Sequence, residues 1–308
     1  MMFLLHSQSM AKELPSLIAV VGPTATGKTA LAVLIARAVD GEVVSADSRQ
    51  VYRGLNLLSG KATKREMRGV RHHLLDVASP RGVFTVEKFE KRAGRAIRDI
   101  QRRGKVPILC GGAGQYVDAI AFEPQHPAVS PNPKLRRTLT SFSVAEMFAR
   151  LKKLDPVRAA AIDSKNRPRL ERAIEIATAL GKVPPLSPAV PRFRTLWVGV
   201  TAPRNTLAAR IEKRLDARLR AGMVTEAKKL RAAGLPWRRF DSLGLECRWL
   251  GRYLQKKITR AEMRSGLLSN IKKYAKRQMT WFKRDPQIVW HRPSKARPAI
   301  ALAKKFLR

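Results

Sequence analysis

A glycine-rich loop that ends in lysine and threonine is the part of this sequence best suited to chemistry. It follows an apolar, β-branched run and consists of Gly22-Pro23-Thr24-Ala25-Thr26-Gly27-Lys28-Thr29. Glycines let backbone N–H groups curl around an anion, the following helix adds its dipole, and Lys28 adds a positive charge. The Thr29 hydroxyl is suited to ligating Mg²⁺. The loop therefore predicts a phosphate or diphosphate site, without deciding whether the ligand is ATP.

A second polar cluster, Asp47-Ser48-Arg49-Gln50, follows the next apolar run. A carboxylate at the end of a strand can hold Mg²⁺ through water or accept a proton from a nucleophile. Asp-Ser is also a common turn opener, in which the carboxylate caps the turn. Position alone leaves both interpretations of Asp47 open.

Basic residues recur at helical spacing in the second half of the chain. Arg210, Arg214 and Arg218 share one face, so one of them could reach a diphosphate and bind it bidentately. The simpler interpretation is a solvated basic face. A later basic stretch also contains aromatic residues, a combination that suits an RNA backbone and unstacked bases. Most of these aromatics are nevertheless expected in the core. The residues of the stretch are Lys272, Lys273, Tyr274, Lys276, Arg277, Trp281 and Phe282.

The adjacent histidines His72 and His73 could suggest a metal site. Neighbouring residues point to different faces, and no third ligand lies at a suitable spacing. We expect structural histidines here.

Short strands that alternate with helices must position these residues. Apolar runs predict strands at 17–21, 42–46, 106–110 and 196–200 and a short one at 287–290, with helices at 30–39 and 85–103 and a closing helix after Pro298. This alternation predicts an α/β fold, with a parallel sheet flanked by helices as in P-loop NTPases. Ligands of such sheets bind beyond the carboxyl ends of the strands, where each polar cluster lies.

The composition changes at residue 122. From 122 to 194 the chain is rich in proline and helical, with helices expected at 143–154 and 167–180. We interpret this segment as a helical insertion that divides the core into 11–121 and 195–308. Met10 is an alternative start, which would make residues 1 to 9 an extension.

Charge is the outlying property of the composition. The 308 residues include 62 Lys and Arg but only 23 Asp and Glu, for a formal charge of +39. Such an excess favours a polyanionic partner, and nucleic acid is preferred over a generally basic proteome. The two cysteines, Cys110 and Cys247, form no zinc or disulfide pattern, which fits a reducing cytoplasm. No stretch reaches about 18 apolar residues, so we expect no membrane span.

The motifs in this order resemble the tRNA dimethylallyltransferases of bacterial type, over about residues 17 to 290. The resemblance rests on the glycine-rich loop and on Ser45-Ala46-Asp47-Ser48-Arg49-Gln50-Val51-Tyr52-Arg53-Gly54, Gly60-Lys61-Ala62, His72-His73-Leu74-Leu75-Asp76, Gly111-Gly112 with Tyr116, Arg169-Leu170-Glu171-Arg172-Ala173, and Tyr274-Ala275-Lys276-Arg277-Gln278-Met279-Thr280-Trp281-Phe282. The block that begins at Ser45 and the block that begins at Tyr274 are not shared with nucleotide kinases. One position and one four-residue block depart from the family pattern. Ala113 replaces the usual threonine that contacts the target adenine, and Leu243-Gly244-Leu245-Glu246 replaces a Gly-Tyr block.

The resemblance implies transfer of a dimethylallyl group from dimethylallyl diphosphate to the exocyclic amine of the adenosine 3′ of the tRNA anticodon. It implies that the loop holds diphosphate, with Mg²⁺ on Thr29, and that Thr24, Asp47 and Arg214 are catalytic. It assigns tRNA contacts to Asp47, Ser48, Arg49, Gln50, Ala113, Pro168, Arg169, Leu170, Glu171 and Arg172, and makes the insertion an RNA-gripping unit. We expect a monomer. The alternatives are a P-loop kinase for a nucleoside or small molecule, and a catalytically impaired tRNA-binding homologue suggested by Ala113.

Overall fold

A parallel β-sheet is the frame on which the polar clusters are arranged. The computed structural model describes residues 14–124, 127, 129–185, 188–292 and 296–308, and Met10 lies outside them. In these residues six strands pair in the order β3-β2-β4-β1-β5-β6, all parallel. They are β1 Ser16–Val21, β2 Gly41–Ala46, β3 His72–His73, β4 Val106–Gly111, β5 Arg194–Val200 and β6 Val289–His291.

Helices cover both faces of this sheet, and others form the insertion. In chain order they are α1 Lys28–Ala38, α2 Lys64–Met67, α3 Val86–Arg102, α4 Gly114–Ala121, α5 Pro133–Thr140, α6 Val144–Leu154, α7 Pro156–Ala161, α8 Arg167–Leu180, α9 Arg204–Arg220, α10 Met223–Ala232, α11 Trp237–Ser242, α12 Leu245–Leu254, α13 Arg260–Phe282 and α14 Ala296–Phe306. The described helices include none that is long and apolar enough to cross a membrane.

Alternation along each strand divides the apolar residues between two cores. In β1, Leu17 and Ala19 face the core formed with α3, α4 and α9 to α13, whereas Ile18 and Val20 face the core formed with α1 and α14. Because successive strand residues point to opposite faces, a continuous apolar run is what a sheet covered on both sides requires. The predicted α/β class, a P-loop-type parallel sheet flanked by helices, is confirmed.

Parallel pairing brings the predicted polar clusters to one edge of the sheet. The glycine-rich loop follows β1, Asp47 follows β2, and Gly112 follows β4. In the strand order β4 lies between β2 and β1, so the carboxyl ends of these three strands are neighbours. The site expected beyond the carboxyl ends therefore has its components in place.

The opposite end of β2 carries a buried ion-pair cluster. Glu42 is 5% exposed; it accepts hydrogen bonds from both terminal nitrogens of Arg103, and its Oε2 lies 2.7 Å from Nε2 of His73. The hydrogen bonds from Arg103 lower the pKa of Glu42 to about 2, against the opposing effect of burial. His72 contacts the carbonyl oxygen of Val70 through Nδ1 at 2.9 Å. Both histidines thus make contacts within the protein, and His72 also lines the cavity described below.

Replacing Glu42 with glutamine is expected to lower the free energy of unfolding by about 2 kcal/mol near neutral pH, because Arg103 would lose its buried anionic partner. The folded pKa of Glu42 lies below the ordinary value of 4.5. Its stabilisation is therefore complete above about pH 4.5 and is lost as the pH falls towards 2. Urea unfolding from about pH 7 down to pH 3 measures this. The prediction would be contradicted if the difference in free energy of unfolding between wild type and Glu42→Gln did not decrease as the pH is lowered.

Residues Glu123–Val190 form a separate compact unit. Its helices α5 to α8 enclose their own core, which includes Leu139, Met147, Leu151 and Ile174. We expected the insertion to span 122–194, but residues 191–194 belong to the core. Arg192 donates its backbone N–H to the carbonyl oxygen of Ala121, and Pro191 bridges Phe122.

Two predicted boundaries near the end of the chain were wrong. The last strand is β6 Val289–His291 rather than 287–290, and α14 begins at Ala296 rather than after Pro298. Proline is tolerated in the first turn of a helix because the N–H groups there have no intrahelical partner. Pro298 therefore lies inside the helix that it was expected to precede.

Candidate active site

The glycine-rich loop turns tightly between β1 and α1. Gly22 has φ +138°, and a Cβ on it would lie 2.3 Å from the carbonyl oxygen of Val200, so only glycine fits. Ala25 and Gly27 also have positive φ, 62° and 91°. A non-glycine residue in this region is strained by roughly 1–2 kcal/mol, which is typical of functional loops. The loop therefore has the curled backbone that the phosphate-site prediction requires.

Lys28 is the buried cation of the loop. Its Nζ donates to the carbonyl oxygen of Pro23 at 2.9 Å, and the Thr26 hydroxyl donates to the same oxygen at 2.8 Å. Desolvation lowers the pKa of Lys28, Arg214 lowers it further, and Cys110 and Asp47 raise it. A cation that has lost its hydration gains strongly from a bound anion. Lys28 is thus prepared to receive a phosphate group.

Asp47 caps the turn after β2 and leaves one carboxylate oxygen open to the cavity. Its Oδ1 accepts backbone N–H groups of Arg49 at 2.8 Å and Gln50 at 3.4 Å, which caps the turn after β2. Within the part of the chain that the structure describes, the hydrogen bonds to this carboxylate all go to Oδ1. Oδ2 is therefore available to a substrate, and Asp47 lines the cavity described next.

A cavity of about 340 Å³ lies at this edge of the sheet. It is bounded by the glycine-rich loop, the turn after β2, the carboxyl end of β4, and helices α9, α12 and α13. Its polar lining includes Thr24, Lys28, Thr29, Asp47, Ser48, Arg49, Gln50, Arg214, Arg218, Glu246, Arg248, Tyr274, Arg277 and Gln278. The cavity therefore collects basic groups and one strand-end carboxylate from distant parts of the chain.

The three arginines of α9 have different roles. Arg214 donates to the Thr24 hydroxyl at 3.4 Å and to the carbonyl oxygen of Gly60 at 2.8 Å. Its side chain is open to the cavity but surrounded by protein atoms, and this desolvation lowers its pKa. Arg218 instead holds a loop, donating to the carbonyl oxygens of Leu57 at 2.5 Å and Leu58 at 2.7 Å. Arg210 is exposed and does not line the cavity.

The cavity cysteine is not suited to nucleophilic catalysis. Cys110 is buried, and burial raises the pKa of its thiol to about 11. Burial also raises the pKa of Cys247, the other cysteine. Since the thiolate is the nucleophilic form, both remain neutral thiols near neutral pH.

Comparison with known proteins decides the family. A family model described as IPP transferase matches residues 50–285. The chain belongs to the IPP transferase family. The tRNA dimethylallyltransferase of Roseiflexus sp. strain RS-1 is 38% identical over 281 residues, covering 89% of this chain and 92% of that protein. The resemblance drawn from the sequence motifs is confirmed.

Solved structures agree with this family assignment. The full-length tRNA isopentenylpyrophosphate transferase of Bacillus halodurans superposes with a TM-score of 0.73 at 33% identity, covering 95% of this chain and 96% of that one. A eukaryotic dimethylallyltransferase that acts on tRNA has a TM-score of 0.83 at 24% identity, covering 95% of this chain and 79% of that one. The second likeness shows the fold alone.

The remaining residues of the predicted tRNA-binding set that lie outside the insertion are at the cavity or next to it. Ser48, Arg49 and Gln50 line it. Ala113 is the N-cap of α4 and makes no side-chain cap hydrogen bond. A threonine in its place would supply a hydroxyl acceptor to the first turn of this helix.

The predicted tRNA-contacting residues of the insertion are not equally accessible. Pro168 and Arg169 are exposed at the start of α8. Leu170 is 0% exposed in the core of the insertion, so its side chain offers no surface to tRNA. Helical geometry explains this, since position 170 shares the inward face with residues 173, 174 and 177. Glu171 lies 3.1 Å from Arg136, and Arg172 lies 3.2 Å from Glu175.

The donor set of the cavity fits Mg²⁺ in the manner of a phosphate-binding loop. Thr29 and Asp47 both line it and carry hard oxygen atoms. Mg²⁺ is commonly held by one or two protein oxygens together with phosphate oxygens and waters. Among the described residues no group of three or more acidic, histidine or cysteine side chains forms a dedicated cage. The residues present therefore suit an ion that arrives with a diphosphate.

Gln278 makes long-range contacts that its sequence motif did not reveal, although it lies in a block that carried the resemblance. Gln278 is 6% exposed and is hydrogen-bonded to both the glycine-rich loop and the turn after β4. Its partners are 254 and 166 residues away along the chain. No local pattern could have identified them.

Proposed function

We propose that this protein transfers the dimethylallyl group of dimethylallyl diphosphate to the exocyclic amine of the adenosine 3′ of the anticodon in tRNA. The observation that carries the proposal is that Lys28, Thr24, Arg214 and Asp47 surround one cavity in a member of the IPP transferase family. The first three suit a diphosphate, and the carboxylate suits an amine.

The groups present account for each bond broken and formed in this reaction and for the proton released. The bond between the allylic carbon and its diphosphate oxygen breaks, and diphosphate leaves with the bonding electrons. The same carbon forms a bond to the adenine amine nitrogen, and the proton lost by that nitrogen passes to Oδ2 of Asp47. Cys110 is not required.

The leaving-group half of the site would be formed by the loop and α9. Lys28 and Arg214 supply positive charge where negative charge develops on diphosphate, and the Thr24 hydroxyl can donate a hydrogen bond to it. Stabilising such charge with preorganised groups is usually the largest contribution to catalysis. Thr29 would hold Mg²⁺, which supplies further neutralisation of the diphosphate when bound.

The acceptor half would be formed at the end of β2. The cavity is enclosed by strand ends and helices, so an adenine must leave its stack to enter, as in other enzymes that modify bases. Asp47 would orient the amine, with Ser48, Arg49, Gln50 and Ala113 beside the nucleotide. In the insertion, Pro168 and Arg169 offer exposed surface for tRNA.

We also propose that the protein acts in the cytoplasm, where tRNA is present, and as a monomer. The monomer proposal is tested by light scattering of the purified protein.

The decisive assay mixes purified protein with Mg²⁺, dimethylallyl diphosphate and unmodified tRNA. Nuclease digestion and mass spectrometry should reveal one adenosine that has gained a dimethylallyl group. A tRNA with guanosine at that position is the matched control and should stay unmodified. ATP turnover without prenylated product would favour a kinase, and tRNA binding without either reaction would favour an impaired homologue.

Affinity for tRNA is expected to fall steeply with salt, because the charge of +39 suits a polyanion. A protein that neutralises several phosphates releases their counterions on binding. Its affinity then falls roughly a thousandfold or more between about 50 and 200 mM salt. Fluorescence anisotropy with labelled tRNA measures the slope. A flat dependence would show that the basic surface serves something other than RNA.

A further inference from the structure

The side-chain amide of Gln278 joins two segments that the proposed reaction must keep at a fixed separation. Its Oε1 accepts the backbone N–H of Thr24 at 2.9 Å, and its Nε2 donates to the carbonyl oxygen of Gly112 at 2.8 Å. One partner lies in the glycine-rich loop, the other in the turn after β4. A flipped amide would face both partners with the wrong group, so the two bonds fix its orientation.

We propose that Gln278 is a positioning residue that sets the separation between the leaving-group loop and the acceptor side of the cavity. The inference rests on the proposed function, because it concerns the two halves of that reaction. Thr24 carries the hydroxyl that Arg214 contacts at 3.4 Å. The Gly112 turn leads directly into Ala113 and α4. A displacement of either segment changes the distance between diphosphate and adenine.

The packing around the amide leaves little room for adjustment. A Cβ on Gly112 would lie 2.2 Å from Nε2 of Gln278 and 3.2 Å from the carbonyl oxygen of Gly22. A Cβ on Gly114 would lie 2.2 Å from the Trp281 indole, one helical turn further along α13. Two glycines therefore allow α13 to approach the turn closely, and Gln278 occupies the contact.

A second contact from the same helix holds α4, the helix that follows the turn. Nε1 of Trp281 donates to Oδ2 of Asp118 at 3.1 Å. Gln278 and Trp281 thus bind the residues before α4 and within α4. Since α13 is 23 residues long and well buried along one face, it is a rigid support for both.

The role of Gln278 differs from that of a catalytic residue. Its two polar groups are already used within the protein, and its partner on the loop is a backbone amide. Loss of the amide would leave Lys28, Arg214 and Asp47 in place but free the loop from the turn. A misplacement of about 1 Å in such a site can reduce the rate by about 100-fold.

The test compares Gln278→Met, which keeps the length of the side chain and removes both hydrogen bonds, with Asn270→Leu. Asn270 is an amide on the same helix whose side chain bonds only to the carbonyl oxygen of Gly266, one turn away, among the described residues. We expect Gln278→Met to lower kcat about 100-fold. Its KM for tRNA should stay within about threefold, and Asn270→Leu should resemble wild type.

A second variant approaches the same contact from the other partner. Gly112→Ala should displace the amide and lower kcat to a similar extent, and the double variant should lose little more than either single one. This variant tests the inference if Gln278→Met fails to fold, which circular dichroism would detect. Normal kcat in a folded Gln278→Met, or fully additive losses in the double variant, would overturn the inference.

Binding of inorganic diphosphate with Mg²⁺ separates this inference from the proposed function. We expect calorimetry to show about tenfold weaker binding for Gln278→Met than for wild type, because the loop loses its support. If wild type does not transfer the prenyl group, the proposed function fails while the diphosphate measurement still tests the support of the loop. Equal diphosphate affinities of wild type and Gln278→Met would overturn the inference about Gln278.

Discussion

Replacing Asp47 with asparagine is expected to lower kcat for prenyl transfer by roughly 10²- to 10⁴-fold, the usual contribution of a general base. Asparagine keeps an oxygen that can accept the N–H groups of Arg49 and Gln50, so the turn after β2 is preserved. Only the capacity to accept a proton is lost. Affinity for tRNA should therefore remain close to that of wild type.

Comparison with Asp47→Ala distinguishes catalysis from turn capping. If Asp47 is the base, both variants lose a similar factor in single-turnover rate, and the alanine variant is also less stable. If Asp47 only caps the turn, the asparagine variant keeps nearly normal activity. A large loss of tRNA affinity in Asp47→Asn would instead make this residue a binding contact.

Replacing Arg214 with methionine is expected to lower kcat by roughly 10²- to 10³-fold, the cost of removing one preorganised donor to developing charge. Methionine retains much of the apolar stem but provides no donor to diphosphate or to the Thr24 hydroxyl. Lysine at this position should restore activity only in part, since it cannot bind diphosphate bidentately. Steady-state kinetics and calorimetry with inorganic diphosphate measure both effects.

Arg210→Met is the matched control for this prediction. Arg210 lies one turn away on α9 and is exposed, so its loss should change kcat less than about twofold. Equal losses in the two variants would indicate a general effect of charge. That result would contradict a specific role for Arg214.

Segments that fold locally were predictable from their own residues. The run at 17–21 corresponds to β1 Ser16–Val21, and the helix expected at 167–180 corresponds to α8. The glycine-rich loop was recognisable because its backbone conformations, strand before and helix after are encoded by neighbouring residues. Boundaries were less predictable, since α1 begins at Lys28 rather than at Ala30.

Contacts between distant segments were not predictable in this way. Four-residue spacing marked Arg210, Arg214 and Arg218 equally, yet only the packing of α9 gives them different surroundings. Leu170 belongs to a motif that suggested RNA contact, but the helix turns it into the core of the insertion. In both cases the residue type was evident and its environment was not.

The glycine-rich loop, the α/β class, the excess of basic charge and, through the motifs, the family were all evident in the sequence. Folding was needed to show that Arg214 meets Thr24, that Asp47 leaves one oxygen open to the cavity, and that Gln278 joins the loop to the Gly112 turn. The two groups of features differ in the range of the interactions that produce them. Backbone preferences and apolar periodicity act between neighbouring residues, whereas the cavity depends on strand order and helix packing between segments up to 254 residues apart.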